Sequence, residues 1–170
     1  MSSLATVSRT DQFSKFFKTA TGFTPYRWQV EVALNGLPDV LPIPTGLGKT
    51  EVALAWAWRL LVDKMSEPLH LVVCLPMRSL VTQTVRRLKT YFDALRVEAP
   101  EIDVAVHQLM GGAIDDGWAT QLDKPWVLVG TQDQFLSRAL NRGYSMSRFE
   151  WPVHFGLLNN DCRWLIDEVQ

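Results

Sequence analysis

The chain lacks an excess of charge of either sign, and this absence limits the partners that its overall field can attract. Lysine and arginine together number 17 and aspartate and glutamate 18, so the formal net charge is −1. Proteins that hold nucleic acid through their whole surface carry a strongly basic balance. Any contact with nucleic acid must therefore come from a local patch of basic and polar residues.

Cysteines and long apolar runs are also scarce. The two cysteines, Cys74 and Cys162, stand in separate apolar runs, which favours buried thiols in a reducing compartment over a disulfide or a metal site. The longest apolar stretch, residues 51–62, is broken by Arg59 and is too short to span a bilayer. Because the first six residues also lack the pattern of a signal peptide, we expect a cytoplasmic protein without membrane contact.

Apolar residues make up 47% of the 170-residue chain, which is ample for the core of one domain. Continuous apolar runs alternate with helical patterns, and this order predicts an α/β fold with a mostly parallel sheet flanked by helices. The predicted strands are residues 40–43, 69–75, 102–107, 126–130 and 164–166. Residues 1–20 are predicted to be an N-terminal lead-in with an amphipathic helix, and residues 21–170 the domain.

Residues 43–50, with the sequence IPTGLGKT, predict a phosphate-binding loop between a strand and a helix. Gly46 and Gly48 would let backbone N–H groups surround phosphate oxygens, and the following helix adds the partial positive charge of its N-terminus. Lys49 would reach the outer phosphates, and the Thr50 hydroxyl would ligate Mg²⁺. The predicted nucleotide contacts in this loop are Thr45, Gly46, Leu47, Gly48, Lys49 and Thr50.

Two carboxylates follow the last predicted strand. Asp167 and Glu168 come directly after residues 164–166, at the strand end where an Mg²⁺-dependent nucleotide hydrolase needs acidic groups. Asp167 would hold the Mg²⁺, and Glu168 would orient and deprotonate the attacking water. A solvated acidic turn is the alternative interpretation of this pair.

Several ordered segments resemble the first RecA-like motor domain of superfamily 2 helicases, the DEAD/DEAH-box group. The motifs that carry the resemblance, besides the phosphate-binding loop, are Phe23–Gln29, Pro76–Gln83, Gly111–Gly112 and Asp167–Gln170. The resemblance implies a RecA-like P-loop NTPase fold that uses ATP and Mg²⁺, with Lys49 and Glu168 catalytic and Gln29 reading adenine. It also implies that one nucleic-acid strand, most simply single-stranded DNA, lies along Pro76, Arg78, Ser79, Gly111, Gly112 and Thr131.

Within that superfamily, residues 130–134 and 154–158 are most similar to the helicase–nuclease of type I CRISPR systems, in the branch whose nuclease domain follows the motor. That resemblance implies further helicase and nuclease domains and a CRISPR effector complex as partners. Two alternatives stay open: the motor of a restriction or repair complex, and a nucleotide-binding module without turnover.

The resemblance implies a further strand with a Ser-Ala-Thr-type motif and a second motor domain, and neither occurs in these 170 residues. The sequence therefore predicts a domain truncated after the acidic strand, with two unpaired apolar strand edges, limited stability and negligible ATP hydrolysis by itself. Arg86, Arg87 and Lys89 are expected on an ordinary solvated helix face, and the tryptophans in the core.

Overall fold

The computed structural model describes residues 7–44, 46–111, 113–114, 116–143 and 146–167. The helices are α1 (Arg9–Thr21), α2 (Arg27–Asn35), α3 (Val52–Leu61), α4 (Arg78–Glu98), α5 (Gln132–Ala139) and α6 (Trp151–Asn159). The strands are β1 (His70–Leu75), β2 (Ala105–Met110), β3 (Ala113–Ile114), β4 (Trp126–Thr131) and β5 (Cys162–Ile166). Short 3₁₀ turns cover Lys49–Glu51 and Asp116–Thr120.

The strands form one sheet in the order β3-β2-β4-β1-β5. β2, β4, β1 and β5 are parallel neighbours, and the short β3 pairs antiparallel to β2. Every residue of β1 and β4 is buried, as expected for parallel strands that helices cover on both faces. The α/β prediction with a mostly parallel, helix-flanked sheet is confirmed, and the architecture is that of a RecA-like domain.

The two faces of the sheet carry cores of unequal size. The larger core lies under α1 to α4 and contains Trp56, Trp58 and the apolar face of α4. The smaller core contains Trp118, Trp126 and residues of α5 and α6. Because these four tryptophans are fully buried, the prediction that they pack in the interior is confirmed for them.

The predicted amphipathic helix near the N-terminus is α1. It begins at a Ser8 cap, whose Oγ accepts a hydrogen bond from the Asp11 N–H at 3.1 Å. Its Phe13 ring is fully buried and packs edge-on against Trp58, with ring centroids 5.4 Å apart. The described part of the predicted lead-in thus packs on the larger core, and the domain boundary at residue 20 stays a prediction.

The prediction of a strand at residues 40–43 is wrong. This segment has no strand pairing, and Val40 is 76% exposed. A strand forms only when its backbone hydrogen-bonds to a neighbouring strand. Residues 40–43 do not reach β5, because a groove of about 540 Å³, lined by residues 38–41 and 164–167, lies between them. Pro42 and Pro44 also remove two backbone donors from it.

The other predicted strands occur, although β2 is shifted along the chain and β5 starts two residues earlier than predicted. The strand predicted at 102–107 is observed as β2, which starts three residues later because its ladder begins where Ala105 meets Trp126, the first residue of β4. Ile102 and Val104 are buried ahead of the ladder, so their apolar character reflects packing rather than strand pairing.

Both cysteines are free thiols. Cys74 is buried in β1, and burial raises the pKa of its thiol to about 11. Cys162 is partly buried, donates to the Leu157 carbonyl at 3.1 Å, and its pKa is raised to about 12, again chiefly by burial. Both thiols are therefore protonated at neutral pH, as expected for packing residues. Across the described ranges, no helix is long and apolar enough to cross a membrane.

Candidate functional site

A cleft of about 920 Å³ opens between the loop before α3, the start of α2, the first half of α4 and the end of β5. Its lining includes Lys49, Thr50 and Asp167 together with the aromatic side chains of Phe23 and Tyr26. Asp167 directly follows β5, so this wall of the cleft stands at the carboxyl end of the parallel strands. Ligands of open α/β sheets gather at that edge.

The loop before α3 has the backbone shape of a phosphate cradle. Gly46 and Gly48 have φ values of 84° and 76°, in the left-handed region that glycine adopts without strain. A Cβ on Gly48 would lie 2.7 Å from Gln29 Nε2, so a larger residue would clash there. Leu47, between them, is 39% exposed. The chain then passes through the Lys49–Glu51 turn into α3, which directs the helix N-terminus towards the loop.

Lys49 and Asp167 meet in the cleft. Lys49 Nζ lies 3.0 Å from Asp167 Oδ1, with the two side chains 26% and 33% exposed. The Asp167 N–H donates to the Cys74 carbonyl at 3.0 Å, which fixes the acid next to the end of β1. The predicted phosphate-binding lysine and the predicted Mg²⁺ ligand, 118 positions apart in the chain, are therefore neighbours.

The groups present in the cleft fit a nucleotide with its metal ion. Two left-handed glycines shape the loop, and Lys49 supplies a partly exposed positive charge. Thr50 and Asp167 line the same cleft and offer a hydroxyl and a carboxylate, the hard oxygen ligands that Mg²⁺ prefers alongside phosphate oxygens and water.

Gln29 joins α2 to the loop. It is 2% exposed; its Oε1 accepts from the Tyr26 N–H at 2.8 Å, and its Nε2 donates to the Gly48 carbonyl at 3.0 Å. The first bond belongs to a capping box that begins α2. Both polar ends of Gln29 are thus engaged with the protein, and the adenine-reading role that the resemblance implies stays a prediction.

Glu51, Arg87 and Tyr91 also line the cleft, and none of them belonged to the predicted site. Tyr91 Oη donates to Glu51 Oε1 at 3.0 Å, and Arg87 Nη1 lies 3.5 Å from the same oxygen. Burial and the Glu51 carboxylate raise the pKa of Tyr91 to about 12, so its phenol keeps the proton that it donates.

Arg87 is exposed, as expected for a solvated helix face, but its Nη1 also lies within ion-pair distance of Glu51 Oε1, a contact that the sequence did not predict. Arg86 and Lys89 are exposed as expected. One sequence signal could have found the site role of Arg87 and Tyr91: they lie one helical turn apart on α4 and share a face.

The predicted nucleic-acid contacts lie at the ends of three strands. Pro76, Arg78 and Ser79 are exposed between β1 and the first turn of α4, and Gly111 follows β2. A Cβ on Gly111 would lie 2.7 Å from Arg78 Nη2, so the structure brings these two residues together. Thr131 ends β4 and is the N-cap residue of α5, but the residue is only 6% exposed, which leaves the start of α5 as the accessible feature there.

Three predicted site residues, Thr45, Gly112 and Glu168, lie outside the described residues. Among known families, the model of the DEAD/DEAH box helicases matches residues 28–154. The match includes the cradle loop, Arg78, Gly111 and Thr131, and it stops before β5. No curated protein matched the chain.

Proposed function

Because the chain belongs to the DEAD/DEAH box helicase family, a family of ATP-dependent helicases, we propose that it is the ATP-binding portion of a DNA helicase or translocase. The observation that carries this proposal is the 3.0 Å contact between Lys49 and Asp167. It brings the cradle loop next to the acidic strand end, the two parts that an Mg²⁺-dependent nucleotide hydrolase uses together.

In the proposed site, the N–H groups around Gly46 and Gly48 and the Lys49 ammonium hold the outer phosphates. Thr50 and Asp167 would hold Mg²⁺, which would supply positive charge next to the phosphate oxygens. Glu168, one position beyond Asp167, orients the attacking water and takes its proton. Gln29 supports the cradle through its bond to the Gly48 carbonyl.

A nucleic-acid strand would lie along the carboxyl ends of β1, β2 and β4. Arg78 is exposed there, and α4 and α5 both begin at this edge. A guanidinium and helix N-termini contact phosphates and do not read bases, which suits a motor that moves along single-stranded DNA of any sequence. Pro76, Ser79, Gly111, Gly112 and Thr131 complete the proposed path.

At a finer level, we propose the CRISPR-associated helicase–nuclease that unwinds and degrades target DNA. Support comes from the resemblance of residues 130–134 and 154–158 to that branch. This proposal includes the remaining helicase and nuclease domains and a CRISPR effector complex as partners, and a cytoplasmic location. A histidine–aspartate nuclease signature in the same reading frame would support it. A methyltransferase partner would instead indicate a restriction motor.

Nucleotide binding tests the proposal directly. Calorimetric titration of the chain with Mg²⁺ and ATP should give one saturable site, and Lys49→Ala should weaken binding at least about tenfold, because a charge-assisted contact to phosphate is lost. Lys89→Ala, which removes an exposed lysine on α4 away from the cleft lining, is the matched control. Equal affinities of the two variants for Mg²⁺·ATP would refute the proposed site.

A further inference from the structure

Gln134, in the first turn of α5, has two hydrogen-bonding groups with different surroundings. The residue is 2% exposed, and its Oε1 accepts a hydrogen bond from Arg138 Nη1 at 2.7 Å. Because a guanidinium only donates, this bond fixes which end of the amide is the oxygen. None of the described residues accepts a hydrogen bond from Nε2, and this atom does not belong to the polar atoms that are sealed from solvent. Nε2 is therefore a donor that a ligand can reach.

A second donor lies beside Gln134, over Gly111. From the point where a Cβ of Gly111 would be, Arg78 Nη2 is 2.7 Å away and Gln134 Nε2 is 3.9 Å away. Arg78 is exposed, and across the described ranges its guanidinium forms no ion pair. A side chain at position 111 would take the space that the guanidinium occupies. Two N–H donors, one of them cationic, thus lie together at the carboxyl end of β2.

The chemistry of the two groups indicates what they would bind. Arg78 Nη2 and Gln134 Nε2 can only donate, so the ligand must supply acceptors, and the charge of Arg78 favours an anion. Base edges present donors next to acceptors, whereas a phosphodiester presents two free oxygens that share a negative charge. Both donors stand on the proposed path of the nucleic-acid strand, so a phosphate of its backbone is the ligand that fits them.

We propose that Gln134 Nε2 and the Arg78 guanidinium bind the same phosphate of the strand, over Gly111. This inference rests on the proposed nucleic-acid path and adds Gln134 to it. Arg138 is a positioning residue, because its bond to Oε1 leaves Nε2 as the end of the amide that lies towards Gly111. Arg138 Nη1 also donates to the backbone carbonyl of Gln134 at 3.1 Å, a bond that every substitution of Gln134 leaves in place.

Two substitutions of Gln134 test the proposal, with oligothymidylate binding followed by fluorescence anisotropy at several salt concentrations. Gln134→Met removes the donor and should weaken binding about tenfold, the size expected for a hydrogen bond to a charged group. Its salt dependence should not change, because the lost donor is neutral. Gln134→Glu keeps an acceptor for Arg138 but places a carboxylate beside Arg78. It should weaken binding further and reduce the salt slope by about one, because the charge of Arg78 is then neutralised within the protein.

Two comparisons test whether the ligand is one shared phosphate. In the background of Arg78→Ala, Gln134→Met should cause less than about a twofold further loss, whereas contacts to separate phosphates would multiply their losses. The loss caused by Gln134→Met should also be equal for oligothymidylate and oligoadenylate, because both have the same backbone. A loss confined to one of the two oligonucleotides would assign Nε2 to a base and overturn the proposal.

Controls separate the possible failures. Gln121→Glu makes the same charge change at an exposed residue ahead of β4, at the opposite end of that strand, and should leave binding unchanged. If Arg78→Ala weakened binding while both Gln134 variants bound like the unmodified chain, the role of Gln134 would be overturned and the nucleic-acid path would stand. Absence of binding by the unmodified chain would overturn both. Far-ultraviolet circular dichroism checks folding, and the comparison of Gln134→Glu with Gln121→Glu decides the matter even if Gln134→Met does not fold.

Discussion

Replacing Glu67 by Gln should destabilise the fold more than any exposed charge change. Arg59 on α3 is 6% exposed; its Nε lies 2.6 Å from Glu67 Oε1, and its Nη1 donates to the Ala33 carbonyl of α2 at 2.9 Å. The Glu67 side chain is 3% exposed. This pair therefore ties α3, which follows the cradle loop, to α2, which carries Gln29.

The magnitude follows from what the substitution leaves behind. Glu67→Gln keeps the shape but leaves the Arg59 guanidinium buried without its carboxylate, a change that costs about 3–5 kcal/mol in measured cases. Arg163 Nη2 also lies 3.5 Å from Glu67 Oε2, so a second positive charge would lose its partner. The free energy of unfolding of a native domain is about 5–15 kcal/mol. The substitution would therefore remove a large fraction of the stability of this fold.

Urea denaturation followed by tryptophan fluorescence measures the effect. The matched control is Glu31→Gln, which breaks another Arg–Glu pair, with Arg27, but one whose side chains are 94% and 56% exposed. It should change the free energy of unfolding by no more than about 0.5 kcal/mol. Replacing Arg59 and Glu67 together by methionine should recover most of the loss, since no charge stays buried. Equal, small effects of Glu67→Gln and Glu31→Gln would refute the argument.

Two further predictions concern nucleic-acid binding and pH. Arg78→Ala should weaken binding of single-stranded DNA and make it less dependent on salt, while Arg86→Ala, an exposed change elsewhere on α4, should do neither; filter binding at several salt concentrations checks this. Burial lowers the pKa of His70, against a smaller opposing effect of Asp161. The unfolded chain therefore binds the proton first, and stability should fall as pH drops below about 6.5. His70→Phe, which keeps a ring against Trp126, should flatten that loss in urea titrations, whereas stability rising on acidification would contradict it.

The sequence predicted the elements whose signal is local. Continuous apolar runs marked β1 and β4, where every residue is buried, and the spacing of apolar residues on α4 marked the face that packs on the sheet. The order of glycines, Lys49 and Asp167 placed the cradle loop and the acidic strand end in one site, because parallel strands end at the same edge.

Features that depend on a distant partner escaped this reasoning. Residues 40–43 are apolar like a strand, yet pairing decides strand formation, and the edge of β5 is separated from them by a groove. In the sequence, Glu51 resembles any acidic residue in the first turn of a helix. Its contact with the Tyr91 hydroxyl could not be predicted, because Tyr91 is 40 residues away. The first residue of β2 could not be predicted from the sequence either. It is set by pairing with β4 and not by the apolar character of Ile102 and Val104.

The ion pair between Lys49 and Asp167 is weak enough for a nucleotide and its metal ion to replace it. The Lys49–Asp167 pair is about a quarter to a third exposed, so solvent screens it and it contributes at most about 1 kcal/mol. A triphosphate offers Lys49 several negative oxygens, and Mg²⁺ offers Asp167 a double positive charge, so the two together replace both halves of the pair. A triphosphate without the ion would bring its negative charge close to the Asp167 carboxylate. In the proposed site, the pair would therefore favour the metal complex over the bare nucleotide, while the bond from Gln29 to Gly48 would keep the loop in place.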